Sequence, residues 1–424
     1  MKVSIVHGWS DDNRGDSAIM MGMIQYINDT YKIDNMNIVS YYEKCEEGSY
    51  NLLKFVKDRN INFDKIYRNI ALNDKNKIIR YIKFLYDYTR KRLLLINYNM
   101  FRFMFSKEEK ETIDAILNSD VVISKGGHIF NSKTYKENLS LFNLSFYLLL
   151  AKKMNKKVYI FSQSYGPFEN KQAKKIFKKV LEASDEVLCR EDVSVNYLND
   201  NFKEFKDKYT YFPDFAFNIK PIFSKKVENI YEKYPIENSI VVTVRQHMYK
   251  DNTEEEYLTT LKNIIERLIN NGETVIIYPH VIGPTKIEDD RIISRKLFDM
   301  INPIFRNDNK VVLLDEDLSA EEVAGLYSKI KFIIGTRFHS VILTLINARP
   351  AFAISYSGPK ANIMKRFGMD KYMYNIEKIN SKNEEEIIKL IDNLNDNEKN
   401  MAFKLEKKLC EEITMFNNDV IEMR

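Results

Sequence analysis

Residues 331–361, KFIIGTRFHSVILTLINARPAFAISYSGPKA, constrain the fold more than any other part of this chain. The apolar run Phe332-Ile333-Ile334 stops at Gly335. The cluster Thr336-Arg337-Phe338-His339-Ser340 follows, and an apolar helix-like run continues to Ile346. A second apolar run, 351–355, ends in Ser357-Gly358-Pro359-Lys360. The pattern predicts strand, turn, helix, strand and loop. In open α/β sheets ligands bind beyond the carboxyl ends of strands, and helix N-termini favour anions. Arg337, His339 and Lys360 are therefore expected at a ligand site.

The same alternation runs through the chain. Strands are expected at 3–6, 36–41, 120–124, 157–162, 186–189 and 209–212, with helices at 17–27, 139–154, 171–183 and 192–198. At 220–238 the pattern lapses into a charged segment with Pro221 and Pro235, where a domain boundary is placed. It resumes with strands at 239–245, 273–278 and 310–314 and helices at 254–270, 286–301 and 320–328, and the 331–361 stretch completes this second sheet. Charged helical runs at 384–395 and 398–422 close the chain. Alternating strands and helices predict an α/β fold with parallel sheets. A length of 424 residues exceeds one typical core, so two domains are expected, 1–220 and 239–380. Helices at 381–424 are expected to pack back on the first domain.

Composition removes several function classes. A net charge of +5 is small for this length and argues against a dedicated nucleic-acid binder. Cys45, Cys189 and Cys410 are too far apart for a zinc site or a disulfide framework, which points to a reducing, cytoplasmic compartment. The N-terminal apolar run is too short for a signal peptide, and no stretch reaches the ~20 apolar residues of a spanning helix. Residues 75–107 stand apart, with nine Lys or Arg against the single acid Asp87, interleaved with eight Tyr or Phe. They read first as a helical hairpin whose basic face is solvated. The second reading is a surface for anionic lipid or a polyanionic acceptor, and hence peripheral contact at the inner face of a membrane.

The residues suited to chemistry gather in loops after strands. Asn13-Arg14-Gly15-Asp16 precedes the first helix, with Asp16 placed to cap it at Ser17. Gly126-Gly127 and Tyr165-Gly166-Pro167 each follow a strand and would form one wall of a cleft. Arg245-Gln246-His247 and His280 end strands in the second half. His7, His128, His280 and His339 all fall at strand ends with His247 just beyond a fifth, a set that would converge on one rim. Asp289-Asp290 reads as acids favoured at a helix start, and no metal site is expected. The fork of Arg337 suits a carboxylate or phosphate, and His339 is a candidate general acid or base near neutral pH.

In order along the chain, Asn13-x-Gly15-Asp16, Gly126-Gly127, Tyr165-Gly166-Pro167, Arg190-Glu191-x-x-Ser194, Pro213-Asp214 and above all Gly335-x-Arg337-x-His339 with Pro350, Ser355-Tyr356 and Lys360 resemble the polysaccharide pyruvyl transferase family. Lys125 departs from that family's glycine-rich loop. The resemblance implies two Rossmann-like domains facing a cleft in a glycosyltransferase-B-like architecture, acceptor on the first domain and donor on the second. It implies transfer of pyruvate from phosphoenolpyruvate, with no further cofactor, to a hydroxyl pair of a cell-surface polysaccharide or its lipid-linked precursor, forming a ketal. By analogy Arg337 grips the donor and His339 binds it or passes the proton. Ser340, Arg245, Arg190, Lys360 and His280 are further donor-binding candidates. Two rivals stand beside this: a nucleotide-sugar glycosyltransferase of the same architecture, and a non-catalytic carbohydrate-binding protein.

Overall fold

A computed structural model describes residues 1–42, 44, 47–69, 76–246, 252–355, 360–418 and 421–423, without the side chains of Lys77, Lys360 and Ala361. The chain forms two compact units. The first comprises residues 1–10, 19–215 and the C-terminal 421–423; the second comprises 11–18 and 216–418.

The first unit contains β1 (Lys2–Gly8), all but the first turn of α1 (Arg14–Thr30), β2 (Asn35–Ser40), α2 (Tyr50–Asp58), β3 (Phe63–Arg68), α3 (Lys77–Ile96), α4 (Tyr98–Phe101) and α5 (Lys107–Leu117). It continues with β4 (Val121–Ser124), β5 (Gly127–Ser132), α6 (Tyr135–Lys153), β6 (Lys157–Phe168), α7 (Lys171–Ala183), β7 (Glu186–Cys189), α8 (Asp192–Asn201) and β8 (Tyr209–Tyr211). The sheet runs β3-β2-β1-β4-β6-β7-β8, with β5 paired to β6. The second unit contains α9 (Lys225–Lys233), β9 (Ile240–Thr243), α10 (Glu254–Asn270), β10 (Val275–Ile277), α11 (Asp290–Met300), α12 (Pro303–Asn307), β11 (Val311–Leu313) and α13 (Ala320–Tyr327). After these come β12 (Phe332–Gly335), α14 (Phe338–Leu345), β13 (Ala351–Ser355), α15 (Lys360–Arg366), β14 (Met373–Asn375), α16 (Glu384–Asp396) and α17 (Glu398–Asn418). Its six strands run β11-β10-β9-β12-β13-β14.

Every pairing within both sheets is parallel. The central strands β4, β9 and β12 are buried at every position, as strands covered on both faces must be. That is why they read as continuous apolar runs. Each crossover helix buries one stripe: α10 covers its sheet with Leu258, Leu261, Ile264, Ile265 and Leu268, and a Thr253–Glu256 capping box sets its start. The expected α/β class with parallel sheets is thus what forms.

Three strands escape the sequence pattern. β3 and β14 lie at sheet edges and bury few residues, so they carry almost no apolar signal. β5 opens on glycine and alternates polar residues. The lapse at 220–238 is also not structureless, because α9 occupies 225–233 and packs Val227 and Ile230 inward. The Tyr231 hydroxyl donates to the Leu326 carbonyl (2.7 Å). α16 and α17 bond to the second unit, through Asn263 Nδ2 to Glu384 (2.9 Å), Asn395 Nδ2 to Glu273 (2.9 Å) and the Arg366–Glu412 pair. The tail beyond α17 belongs to the first unit, where Tyr159 donates to the Glu422 carbonyl (2.7 Å). Among the described residues no helix is long and apolar enough to cross a membrane.

α3 is turned in an unusual sense. Asp87, Arg90 and Lys91, spaced i, i+3 and i+4, point inward. Asp87 takes Arg90 at 2.7 Å and Lys91 at 2.7 Å, while Arg90 also reaches Glu109 at 2.6 Å. All three side chains on α3 are buried. Removing one partner from such a group leaves charge uncompensated in a poor solvent. Asp87→Ala is therefore expected to cost about 3–5 kcal/mol of stability, read as a lower urea midpoint. An unchanged midpoint would mean that water already screens the group.

Candidate active site

The turn between β12 and α14 is held from below. Thr336 donates from its hydroxyl to the Thr243 carbonyl (2.8 Å) and from its backbone N–H to Thr243 Oγ1 (3.1 Å), tying the turn to β9. Ser340 is fully buried; its hydroxyl donates to the Arg337 carbonyl (2.7 Å) and lies 3.1 Å from Thr243 Oγ1. Ser340 thus closes the turn, a structural task that accounts for a hydroxyl expected at the donor. Arg337 takes the N-cap position of α14, yet its side chain caps nothing there. It forms a two-point pair with Asp290, Nε at 2.9 Å and Nη2 at 2.5 Å, and Nη2 also reaches the Glu288 carbonyl at 3.3 Å.

Asp290 is completely buried and also accepts from the Val281 N–H (3.1 Å). Burial pushes its carboxyl up, and Arg337 and the Val281 N–H pull against that. The two acids that read alike in sequence do different things. Asp289 caps α11 by accepting from the Arg291 N–H (3.0 Å), while Asp290 is the counterion of an arginine 47 residues away. Arg245, at the end of β9, is half-buried and adds positive charge near Asp290. The ends of β12 and β13 border a small recess lined by Thr336, Arg337 and Ser355.

The loop before α1 belongs to this unit. Asn13 pairs with Val281 in an isolated antiparallel bridge, and the Ile282 N–H donates to the Asp12 carbonyl (2.9 Å). Asn13, not Asp16, caps α1: its Oδ1 accepts from the N–H groups of Gly15 (3.2 Å) and Asp16 (3.3 Å), and its Nδ2 donates to Asp16 (2.7 Å). The helix accordingly starts three residues earlier than the apolar pattern predicts, at Arg14. Arg14 is 1% exposed and donates to the carbonyls of Leu318 (3.1 Å) and Asp12 (3.0 Å) and to Asp317 (2.6 Å). Sequence reasoning passed over this residue, although there was a signal for it. A cation in the first turn of a helix opposes the dipole, so it needs a partner elsewhere.

Gly15 lies against His339. A Cβ on residue 15 would sit 2.4 Å from the ring Nδ1 of His339 and 2.7 Å from its Cβ. His280, at the end of β10, is 1% exposed, and neither of its ring nitrogens makes a hydrogen bond among the described residues. Burial, then His339, Arg14 and Arg337, hold it well below the usual imidazole range. Arg14, Gly15, His280, Asp290, Arg337 and His339 therefore form one cluster. Among the described residues no group of three or more His, Cys, Asp or Glu is placed to hold a metal ion.

The described histidines divide between the two units. His7 is a core residue of the first unit, with Nε2 on the Leu144 carbonyl (2.8 Å) and Nδ1 on Ser124 Oγ (2.9 Å). Burial pushes it down to about 4. His128, also in the first unit, donates to the Gly166 carbonyl (2.8 Å). His247 lies outside the described residues. Among the described residues of the second unit, His280 and His339 come together. The remaining candidates of the first unit are accounted for by packing there. Arg190 bonds to Asp214 (2.8 Å) and Ser164 (2.9 Å), and the Tyr165 hydroxyl donates to the Leu188 carbonyl (3.0 Å). Gly126 faces the Ser162 carbonyl, which a Cβ would approach to 2.4 Å. Gly127 and Gly166 have positive φ, and Gly166 abuts the Tyr197 ring. Lys360 begins α15; nothing is described of its side chain.

Gly15→Ala is expected to destabilise by about 1–3 kcal/mol through overpacking, although alanine is intrinsically the better helix former by ~1 kcal/mol. The clash prevails because it includes the His339 Cβ, which cannot swing away. A shifted His339 ring resonance with a lower unfolding midpoint would bear this out, and a gain in stability would contradict it. His7 and His280 stay neutral in the folded chain while the unfolded chain protonates near 6.5. Stability is therefore complete above about pH 6.5 and falls as the pH drops toward 4. Stability flat across that window, or His280 titrating near 6.5 by NMR, would show the cluster to be wet.

Comparison with known proteins agrees with this picture. The profile of the polysaccharide pyruvyl transferase family matches residues 13–358. The amylovoran biosynthesis protein AmsJ of Erwinia amylovora is 23% identical over 392 residues, 89% of each chain. Among solved structures, UDP-GlcNAc 2-epimerase from Neisseria meningitidis superposes with a TM-score of 0.54 at 11% identity, covering 99% of this chain and 100% of that one. HepE from Anabaena, solved with UDP, gives 0.55 at 9% identity, covering 99% and 98%. A putative UDP-N-acetylglucosamine 2-epimerase from Listeria monocytogenes gives 0.56 at 12% identity, covering 100% and 98%. At these identities the likeness is one of fold, the glycosyltransferase-B-like architecture.

Proposed function

The chain belongs to the polysaccharide pyruvyl transferase family, and we propose that it takes pyruvate from phosphoenolpyruvate and places it as a ketal on a hydroxyl pair of a polysaccharide or its lipid-linked precursor. The observation that carries this reading is His280, a buried imidazole with both ring nitrogens unbonded among the described residues, set among Arg14, Arg337 and His339. Buried polar atoms are nearly always bonded, and exceptions need an explanation. Here two arginines stand nearby, and an anion would be held by them while accepting from the ring N–H. Phosphoenolpyruvate carries two anionic groups, a phosphate and a carboxylate.

The chemistry balances as follows. The vinyl carbon of the donor takes a proton, leaving a cation at the carbon that bears the phosphate. A sugar hydroxyl attacks that carbon and loses its proton. The carbon–phosphate oxygen bond breaks, inorganic phosphate departs, and a second hydroxyl closes the ketal while giving up the other proton. One released proton replaces that used on the vinyl carbon, and the other leaves with phosphate.

In this scheme His339 moves the proton. It is half-buried, has Gly15 against its ring, and sits two residues beyond an arginine locked by Asp290. Arg337 supplies positive charge at a fixed place, because its two-point pair with Asp290 removes its freedom. Arg245 and Lys360 complete the donor side. The role of AmsJ in amylovoran biosynthesis supports a saccharide acceptor.

Phosphoenolpyruvate is expected to raise the thermal midpoint, and UDP-sugars are not. Phosphate is expected to be released from it only with a saccharide acceptor present, and His339→Gln should slow that release by about 10²-fold or more with the midpoint of the free protein unchanged. Protection by a nucleotide sugar alone would replace this reading with a glycosyltransferase. An unimpaired His339→Gln variant would remove His339 from the chemistry.

A further inference from the structure

The carboxyl edge of the first sheet holds polar groups that the proposed reaction leaves idle. Strand order reverses there between β1 and β4, with β2 and β3 on one side and β6, β7 and β8 on the other. Ligands of open α/β sheets bind outside such a switch point. His7 is the last residue but one of β1, Ser124 ends β4, and Gln163 lies three residues past Ile160, the β6 partner of Ser124. All three are buried.

Their hydrogen bonds run in one direction. A carbonyl only accepts, so His7 Nε2 carries the proton given to Leu144 (2.8 Å). The ring is neutral, since burial pushes it down to about 4, and its bare Nδ1 accepts. Ser124 donates to Nδ1 at 2.9 Å in preference to the Lys125 carbonyl at 3.4 Å. The Ser124 oxygen then accepts from Gln163 Nε2 (3.4 Å). This chain settles which way the Gln163 amide is turned. Its Oε1 makes no hydrogen bond among the described residues, although Gln163 is 0% exposed. A buried acceptor left unbonded calls for a donor.

Aromatic rings stand on the same edge. Trp9 follows β1 and Tyr42 follows β2, both half-buried, with ring centroids 6.1 Å apart and planes at 58°. Tyr42 is backed by Gly48, where a Cβ would come within 2.3 Å of its ring, and its N–H donates to Ser40 Oγ (3.2 Å). Aromatic faces with a few fixed polar groups suit a small ligand. We infer that this edge binds a saccharide ring, with a hydroxyl donating to Gln163 Oε1 and a C–H face against Trp9. A flat nucleobase fits less well, because rings crossed at 58° form a corner and not a parallel slot. Identifying this saccharide with the acceptor rests on the proposed reaction; its binding does not.

Trp9 is the single tryptophan of the chain, so indole fluorescence reports on this edge alone. The full chain is titrated with methyl glucosides, methyl galactosides, lactose and cellobiose, and separately with uridine. At least one saccharide is expected to change the emission saturably. Gln163→Met keeps the side-chain volume and removes the acceptor, and should weaken that binding about 3–10-fold. Tyr42→Leu, away from the buried chain, should weaken it as well, with the wild-type unfolding midpoint. No response to any of these saccharides, or a response to uridine alone, would overturn the inference. So would an unchanged saccharide affinity in a folded Gln163→Met variant, or in Tyr42→Leu if Gln163→Met does not fold. Thermal protection by phosphoenolpyruvate should be the same in all three proteins. Its absence beside a saccharide response would sink the donor assignment and leave this site standing, and the converse result would do the reverse.

Discussion

The buried pair between Arg337 and Asp290 organises the second unit's site. Asp290 has no access to water, and Arg337 meets it through two nitrogens. The pair fastens the turn after β12 to the start of α11. It does so at the carboxyl edge of a parallel sheet, where strands end and ligands enter α/β folds. His339 is two residues from this anchor, so the position of its imidazole follows from it. A buried ion pair of this kind is weak evidence of stability. It fixes geometry at a site whose work requires geometry.

The same edge is completed by a segment from the far end of the sequence. Asn13 bridges to Val281, Arg14 is gripped by Asp317 and the Leu318 carbonyl, and Gly15 leaves no space between α1 and His339. The glycine is needed for close approach, not for an unusual backbone angle. Charges of one sign accumulate here: Arg14, Arg245 and Arg337. Buried Asp290 and exposed Asp317 balance part of that charge, and His280 has both ring nitrogens unbonded among the described residues. An anionic substrate would supply the remaining compensation.

Much of this was legible before the structure. The parallel α/β class, the central strands and α7, α10 and β13 were all readable, because strands covered on both faces are continuous apolar runs and crossover helices have one apolar stripe. Gly335-x-Arg337-x-His339 was legible as a strand-end motif. The edge strands β3 and β14 were not, since exposed edges need few apolar residues. α9 was hidden because Val227 and Ile230 alone carry its buried face. Asp290 was misread because an acid at a helix start already has a local explanation, and its true partner is distant in sequence. The histidines at strand ends divide between the two units. Strand ends occur in both sheets, and hydrogen bonding within the first unit accounts for His7 and His128.

By itself the sequence determined what depends on local periodicity and on short motifs: two parallel sheets, their crossover helices, and an anion-suited Arg–His turn. Family membership was visible in the same ordered motifs. Tertiary structure alone decided which charges meet. It joined Arg337 to Asp290 and Arg14 to Asp317, set Gly15 against His339, and turned α3 so that its ions are inside and its isoleucines outside. Periodicity reports how much of a helix or strand is apolar. It cannot report which face finds a partner, because a buried ion pair and its desolvation depend on groups that only folding brings within a few ångströms of each other.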